Sequence, residues 1–209
     1  CGGTIARWVD EGKAVHVAFL TDGVGARGAD EVSARSARAE RQAAAKKALQ
    51  ILGAADVRFD YLPDNALDSI PLLEVTQRVE ALIDHYQPHT VLTHHAGDLN
   101  IDHRIVHQAV MTACRPQTGH SVRRILCFEV ASSTEWQTPG AGEAFTPNVF
   151  VDISSTLDRK LDALRAYAME MRDSPHPRSL QAIEHLARWR GATVGVEAAE
   201  AFMLARQIE

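Results

Sequence analysis

Residues 93–104 carry the densest group of side chains that can do chemistry. This stretch, THHAGDLNIDHR, holds three histidines, two aspartates and an asparagine, and Gly97 allows the backbone to turn. The β-branched run at 90–93 predicts a buried strand before it, and the apolar spacing over 102–113 predicts a helix after it. Active sites of open α/β sheets lie at the carboxyl ends of strands, so we expect an active site in this loop.

The pattern around the start of that helix admits two interpretations. It combines Asp98, Asn100, Asp102 and His103. An imidazole beside a carboxylate suits a metal ligand whose second ring nitrogen is held by an acceptor. Alternatively, Asp102 is only the N-cap and His103 an ordinary first-turn residue. A catalytic zinc needs about three protein ligands, so one histidine is not enough. His94 and His95 are adjacent on a strand, and at most one of them can face the site.

Three further positions carry candidate side chains, each with a structural alternative. Asp22 ends a predicted strand, where a simple Thr-Asp-Gly turn is the favoured interpretation and a substrate pocket the alternative. Arg41 lies in a long helix, where a solvated charge is favoured. His176 stands between two prolines, as part of either a functional loop or a rigid turn that ends in the N-cap Ser179.

Composition limits the class of protein. With 209 residues, 45% of them apolar, the chain is predicted to form a single domain over 1–209. A net charge of −5 gives no general attraction to nucleic acid, and no apolar run approaches the roughly 20 residues of a membrane span. The three cysteines are odd in number and far apart, which favours reduced thiols in the cytoplasm.

Strand and helix patterns alternate along the chain. They predict an α/β fold, a three-layer Rossmann-like sandwich with a mostly parallel sheet. The predicted strands are 14–20, 57–62, 90–93, 123–130 and 149–153, and the predicted helices are 4–11, 31–52, 71–86, 102–113, 154–172, 180–190 and 198–208.

Several motifs resemble the PIG-L/LmbE-like zinc-dependent N-deacetylases. The opening CGGTIA at 1–6 resembles the second half of an H-P-D-D-E … L-G-C-G-G-T-I-A signature, and DLNIDHR at 98–104 resembles the H-x-D-H motif. The helix from Arg41 to Gly53 resembles R-x-x-E-x-x-x-A-x-x-x-L-G, with Ala44 in place of the glutamate. The ending EAF at 200–202 also fits. The resemblance runs essentially from end to end, and it implies that the H-P-D-D-E segment and the first strand lie upstream of Cys1, so that this chain is N-terminally truncated.

The resemblance also implies roles for individual residues. His103 would be a ligand of Zn²⁺ or of another divalent metal, and Asp102 a catalytic residue. Asn100 stands where the first histidine of H-x-D-H is expected and could donate a hydrogen bond to an oxyanion. His176 would compensate for the missing histidine as a catalytic residue. Arg41, Arg104 and Asp22 would bind substrate.

The activity that this resemblance implies is hydrolytic removal of an acetyl group from an N-acetylglucosamine-type sugar or glycoconjugate. Two alternatives stay open because one fold can host different chemistry: a non-catalytic sugar-binding or assembly module, and a metal-dependent hydratase. The expected partner is a small N-acetylated sugar, with no nucleic acid, and a homo-oligomer is one open assembly state.

Overall fold

Strands and helices alternate in the computed structural model, which describes residues 1–23 and 31–209. The helices are α1 (Gly2–Asp10), α2 (Glu31–Leu52), α3 (Leu72–Tyr86), α4 (Ile101–Ala113), α5 (Leu157–Arg165) and α6 (Leu180–Ala192). The strands are β1 (His16–Thr21), β2 (Asp56–Leu62), β3 (Thr90–His94), β4 (Arg124–Phe128), β5 (Val149–Asp152) and β6 (Ala199–Gln207). A short 3-10 helix covers Leu67–Ser69.

These strands form two sheets. In the first, β1 and β2 pair in parallel. The second has four strands in the order β3-β4-β6-β5, with β3 parallel to β4 and β4 antiparallel to β6. The predicted α/β class is therefore confirmed, with parallel pairs in both sheets and one antiparallel strand beside β4.

Contacts divide the chain into two compact units. The first comprises Cys1–Asp64 and Phe150–Glu200, and the second Asn65–Val149 and Ala201–Glu209. In the first unit α1, α2 and α5 share a core that includes Ala6, Leu49 and Ala163. In the second unit Ile125 and Leu126 of β4 and Phe202 of β6 are fully buried. The prediction of a single domain over 1–209 stays a prediction.

Local sequence explains most of the elements. Alanines and leucines of α2 form its buried face, namely Ala44, Ala45, Ala48, Leu49 and Leu52. That helix ends, as predicted, before Gly53, whose φ of +79° suits a residue without a side chain. None of the helices in the described ranges is both long and apolar enough to cross a membrane.

Two predicted helices differ from the structure. The prediction of a helix over 198–208 is wrong, because β6 occupies this stretch and buries its first four residues. Alanine, glutamate, methionine and leucine favour a helix in isolation, but here backbone pairing with β4 and burial of Phe202 outweigh that preference. The helix predicted up to Arg172 ends earlier, since α5 stops at Arg165.

Candidate functional site

The candidate site lies in the second unit, where β3 and β4 end. These two parallel strands are in register, with His94 opposite Phe128, so the segments that follow them begin side by side. One is the loop over 95–100, which leads into α4, and the other is the turn over 130–137, which we call the β4 turn. Polar residues from both segments meet around Asp98.

Asp98 is fully buried and accepts four hydrogen bonds. The backbone N–H of Asn100 donates to it at 2.9 Å, and His103 Nδ1 lies 2.9 Å from the same oxygen, Oδ1. Ser133 Oγ also donates to Oδ1, and Thr134 Oγ1 donates to Oδ2 at 2.7 Å. Burial by itself raises the pKa of Asp98, but these hydrogen bonds lower that pKa far below its usual range. Asp98 is therefore a buried carboxylate that stays ionised.

The contact with Asp98 determines how His103 is presented. An ionised carboxylate can only accept, so the Nδ1 atom of His103 carries a hydrogen, and in the neutral imidazole Nε2 keeps its lone pair. The side chain of His103 is 21% exposed, which leaves the imidazole reachable from solvent. This geometry, a carboxylate on one ring nitrogen and a free lone pair on the other, is that of a metal-binding histidine.

His94 packs directly on this imidazole. The two rings stack with centroids 4.1 Å apart and planes 13° apart. Burial lowers the pKa of His94 to about 3, so its ring is neutral at pH 7. The Nδ1 atom of His94 is buried, and it has no hydrogen-bond partner among the described residues. His94 thus forms a flat, uncharged wall against His103.

Asn100 and Asp102 hold the start of α4. Asn100 is the N-cap, since its side-chain Oδ1 accepts from the Asp102 N–H at 2.8 Å, and its Nδ2 donates to Asn65 at 3.1 Å. The buried Asp102 carboxylate accepts from the backbone N–H groups of Asn65 at 2.7 Å and Leu67 at 3.0 Å. These contacts link α4 to residues 65–67, where the 3-10 helix begins. The proposed catalytic roles of both residues stay predictions.

Arg104 follows His103 on the first turn of α4 and is partly exposed. Its backbone N–H donates to Asn100 at 3.3 Å. Its Nε atom is buried and has no hydrogen-bond partner in the part of the chain that the structure describes. The position beside His103 is compatible with a substrate contact, which stays a prediction.

The other three predicted site residues belong to the first unit. Asp22 accepts two bonds from the guanidinium of Arg38, at 2.6 and 3.1 Å. Arg41 forms an ion pair with Glu170, which Arg178 also contacts at 3.0 Å. His176 accepts at Nδ1 from the Arg178 N–H at 3.0 Å. Ser179 caps α6 through a bond from the Ala182 N–H at 3.1 Å.

The described residues do not form a complete metal site. His103 offers one nitrogen of the right chemistry and orientation. Within residues 1–23 and 31–209, however, no group of three His, Cys, Asp or Glu side chains comes together in a way that could hold a metal ion. A catalytic zinc takes about three protein ligands, so the predicted role of His103 as a metal ligand would need partners beyond the described residues.

Ser133 and Thr134 contact Asp98 but are not among the site residues predicted from the sequence. Both residues lie in the β4 turn, and the sequence predicts β3 and β4 as strands. Polar residues after neighbouring parallel strands meet at one sheet edge, so the run SST at 132–134 was the signal that could have been used. What was missing was the knowledge that β3 and β4 are neighbours.

Solved structures with the same fold include enzymes of two kinds. One similar chain is GalB, the 4-carboxy-2-hydroxymuconate hydratase from Pseudomonas putida KT2440, with 21% identity and a TM-score of 0.78 over 100% of this chain and 91% of that one. Another is the N,N'-diacetylchitobiose deacetylase from Pyrococcus horikoshii, with 19% identity and a TM-score of 0.77 over 98% of this chain and 78% of that one. The zinc-inhibited form of teicoplanin deacetylase Orf2 is also similar, with 16% identity and a TM-score of 0.72 over 100% of this chain and 93% of that one. At these identities the likeness shows a shared Rossmann-like fold.

Family membership rests on the sequence itself. The model of the PIG-L family, described as GlcNAc-PI de-N-acetylase, matches residues 1–114. The match covers more than half of the 209 residues and includes β3, the loop with Asp98, and α4 with His103. This chain belongs to the PIG-L family.

Proposed function

We propose that this protein catalyses zinc-dependent hydrolysis of an N-acetyl group on an N-acetylglucosamine-type sugar or glycoconjugate. The observation that carries the proposal is the Asp98–His103 pair, which presents Nε2 of His103 as a ligand atom. Membership of the PIG-L family and the fold shared with sugar and glycopeptide deacetylases support it.

Several residues of the chain would have separate roles around the acetyl group. A bound zinc ion would supply a water of lowered pKa and polarise the carbonyl. His103 would hold the metal through Nε2, while Asp98 keeps the imidazole in place. An amide NH₂ has two hydrogens, and only one of those of Asn100 is used by Asn65, so the second could donate to the developing oxyanion. Asp102 would position this cap and ligand by anchoring the start of α4.

Substrate contacts are proposed for the charged residues. Arg104 lies next to His103, and its guanidinium suits a hydroxyl or phosphate of the substrate. We also propose that Arg41 and Asp22 bind substrate and that His176 acts in catalysis. The cysteines Cys114 and Cys127 are unpaired and buried, which supports a reducing, cytoplasmic setting.

A metal-dependent hydratase is the second candidate. The observation in its favour is the high structural similarity to GalB, a hydratase, across this whole chain. Both reactions add water to an unsaturated carbon, so one His103-centred site could serve either of them. The products distinguish the two, because hydrolysis releases acetate and hydration releases nothing.

Acetate release tests the proposal directly. The purified full-length protein, supplied with zinc, is assayed for acetate with N-acetylglucosamine and N,N'-diacetylchitobiose, because His103 alone would not hold a zinc ion. We expect zinc-dependent release that His103→Ala reduces by at least 100-fold, because loss of a ligand removes the metal. His185→Ala is the matched control, an exposed histidine on α6, and it should keep full activity.

Other outcomes distinguish the deacetylase from the hydratase and from the sugar-binding module. Zinc bound through His103 with no acetate from any N-acetyl sugar would overturn the deacetylase proposal and favour the hydratase. Sugar binding without zinc binding would overturn both and favour a non-catalytic sugar-binding module.

A further inference from the structure

The β4 turn brings two hydroxyl groups onto the carboxylate that holds His103. Ser133 Oγ donates to Asp98 Oδ1, and Thr134 Oγ1 donates to Oδ2 at 2.7 Å. Asp98 is fully buried and the Ser133 residue is 8% exposed, so water does not readily replace the Ser133 donor. The two bonds fall on different oxygens and therefore define the plane of the carboxylate.

The turn itself is held by its own hydrogen bonds. The Val130 N–H donates to Thr134 Oγ1 at 2.7 Å. The Glu135 carboxylate accepts from the N–H groups of Ser132 at 2.6 Å and Ser133 at 3.3 Å. With the backbone fixed in this way, the two hydroxyl groups approach Asp98 from a defined direction.

The orientation of Asp98 matters because Oδ1 has three donors. It accepts from Ser133 Oγ, from the Asn100 N–H and from His103 Nδ1. Without the two hydroxyl groups, Oδ1 keeps only the Asn100 N–H and His103 as donors among the described residues, and rotation about the Cβ–Cγ bond that turns Oδ1 away from the imidazole is less restricted. The Nδ1–H of His103 would then lose its acceptor, and the hydrogen could move to Nε2, the atom that must stay bare to bind a metal.

We infer that Ser133 and Thr134 are positioning residues for His103. By fixing the plane of Asp98 they keep the imidazole in the Nδ1–H form, with the Nε2 lone pair presented outward. The inference rests on the proposed function, in which Nε2 of His103 binds zinc. It adds two residues of the β4 turn to the machinery around that ligand.

Histidine ¹⁵N NMR of the metal-free protein tests this inference without an activity assay. Long-range ¹H–¹⁵N spectra report which ring nitrogen carries the hydrogen. At pH 8 we expect His103 of the wild type to be almost entirely the Nδ1–H form. Ser133→Ala, and more strongly Ser133→Ala/Thr134→Val, should shift a measurable fraction to the Nε2–H form. Zinc affinity of the full-length protein should fall in parallel, by less than the ~10- to 100-fold cost of losing Asp98, the direct partner of His103.

Two variants control for damage to the turn. Thr134→Ser keeps the hydroxyl group and should leave both the tautomer and the zinc affinity as in the wild type. Ser132→Ala changes the neighbouring serine, which joins the turn through its backbone N–H, and should also have no effect. Amide spectra of every variant establish that the fold is retained, and Ser133→Ala leaves the Val130–Thr134 bond in place if the double variant fails to fold.

The result that overturns the inference is clear. If Ser133→Ala and the double variant, both folded, keep the Nδ1–H form and a zinc affinity within twofold of the wild type, the hydroxyl groups do not position His103. Finding His103 of the wild type in the Nε2–H form would also overturn the inference. A shifted tautomer in the variants, with no acetate release by the wild type, would instead sustain the inference and defeat the proposed deacetylase activity.

Discussion

Each unit of the molecule contains a buried carboxylate around which several neighbouring residues are arranged. In the second unit it is Asp98, whose donors were described above. In the first unit it is Glu200, which is 6% exposed and accepts from Lys160 Nζ at 2.6 Å and from the N–H groups of Gly3 and Thr4 at 3.1 and 2.7 Å. A buried charge is tolerated only when it is paired and hydrogen-bonded, and both carboxylates meet that condition. Their contacts differ, because Asp98 lies on the imidazole of His103 and Glu200 accepts from the N–H groups at the start of α1.

Glu200 should govern part of the acid sensitivity of the fold. Burial by itself raises the pKa of Glu200, but Lys160 and the hydrogen bond from Thr4 lower that pKa far below 4.5, its ordinary value. A group whose native pKa is lowered stabilises the fold above its unfolded pKa. That contribution is lost as the pH falls from 4.5 towards the native pKa. Stability measured by urea unfolding should therefore decline below about pH 4.5.

The Glu200→Gln variant tests this dependence. It should lower the free energy of unfolding at pH 7 by about 3–5 kcal/mol, because Lys160 is left as a buried charge without its partner. Its stability should also change less with pH below 4.5. Glu200→Gln/Lys160→Met should recover much of the loss at pH 7, since removing both partners leaves no unpaired charge. An unchanged acid transition in Glu200→Gln would contradict this account.

At the scale of elements, the start of α4 combines a structural task with a chemical one. Asn100 caps the helix, Asp102 ties it to the 65–67 segment, and His103 projects from its first turn. The cap requires an oxygen acceptor, whereas the proposed oxyanion contact requires an N–H donor. A single asparagine side chain provides both, so the two tasks can be separated by substitution.

Substitutions at Asn100 separate these tasks. Asn100→Ser keeps a good N-cap, so the melting temperature should change little, but it removes the amide donor. If Asn100 stabilises the oxyanion, kcat for acetate release should fall by about 10²–10³-fold. Asn100→Ala should lose the same activity and about 1 kcal/mol of stability as well, which thermal unfolding would measure. Full activity in a stable Asn100→Ser variant would show that Asn100 is only a cap.

At the scale of the whole molecule, the open question is whether the two contact-defined units unfold together. Of the three points at which the chain passes from one unit to the other, two lie within strands, in Val149–Asp152 and in Ala199–Gln207, and one lies after Asp64. A unit boundary inside a strand makes separate unfolding costly, because the strand's hydrogen bonds would have to break. We therefore expect one cooperative transition, as the predicted single domain requires.

Two probes in different units test this expectation. In a Trp136→Phe background, the remaining tryptophans, Trp8 and Trp189, both report on the first unit. Cys114 and Cys127 lie in the second unit, and burial raises the pKa of each thiol to about 11, so labelling should require unfolding. Tryptophan fluorescence and thiol labelling should give the same urea midpoint. Two separate midpoints would show that the units are independent domains.

Local patterns determine the α/β class and most of the elements, and they single out His103 of the candidate site. The spacing of apolar residues located α3 and α4, and the DLNIDHR motif singled out His103 before any contact was known. These features follow from short-range physics, namely helix and strand periodicity and the chemistry of neighbouring side chains. The same residues also carried the resemblance to the PIG-L family, which the family match confirms.

Only the tertiary structure decided which distant residues meet. The choice of β6 over a helix depended on β4, whose backbone lies more than 70 residues earlier in the chain. The partners of His103 depended on the pairing of β3 with β4, which brings Ser133 and Thr134 to Asp98, 35 and 36 residues away. Strand pairing gains its energy from contacts remote in sequence, and a local pattern does not encode the identity of the partner. His103 could therefore be recognised from its motif, while the network that orients it could not.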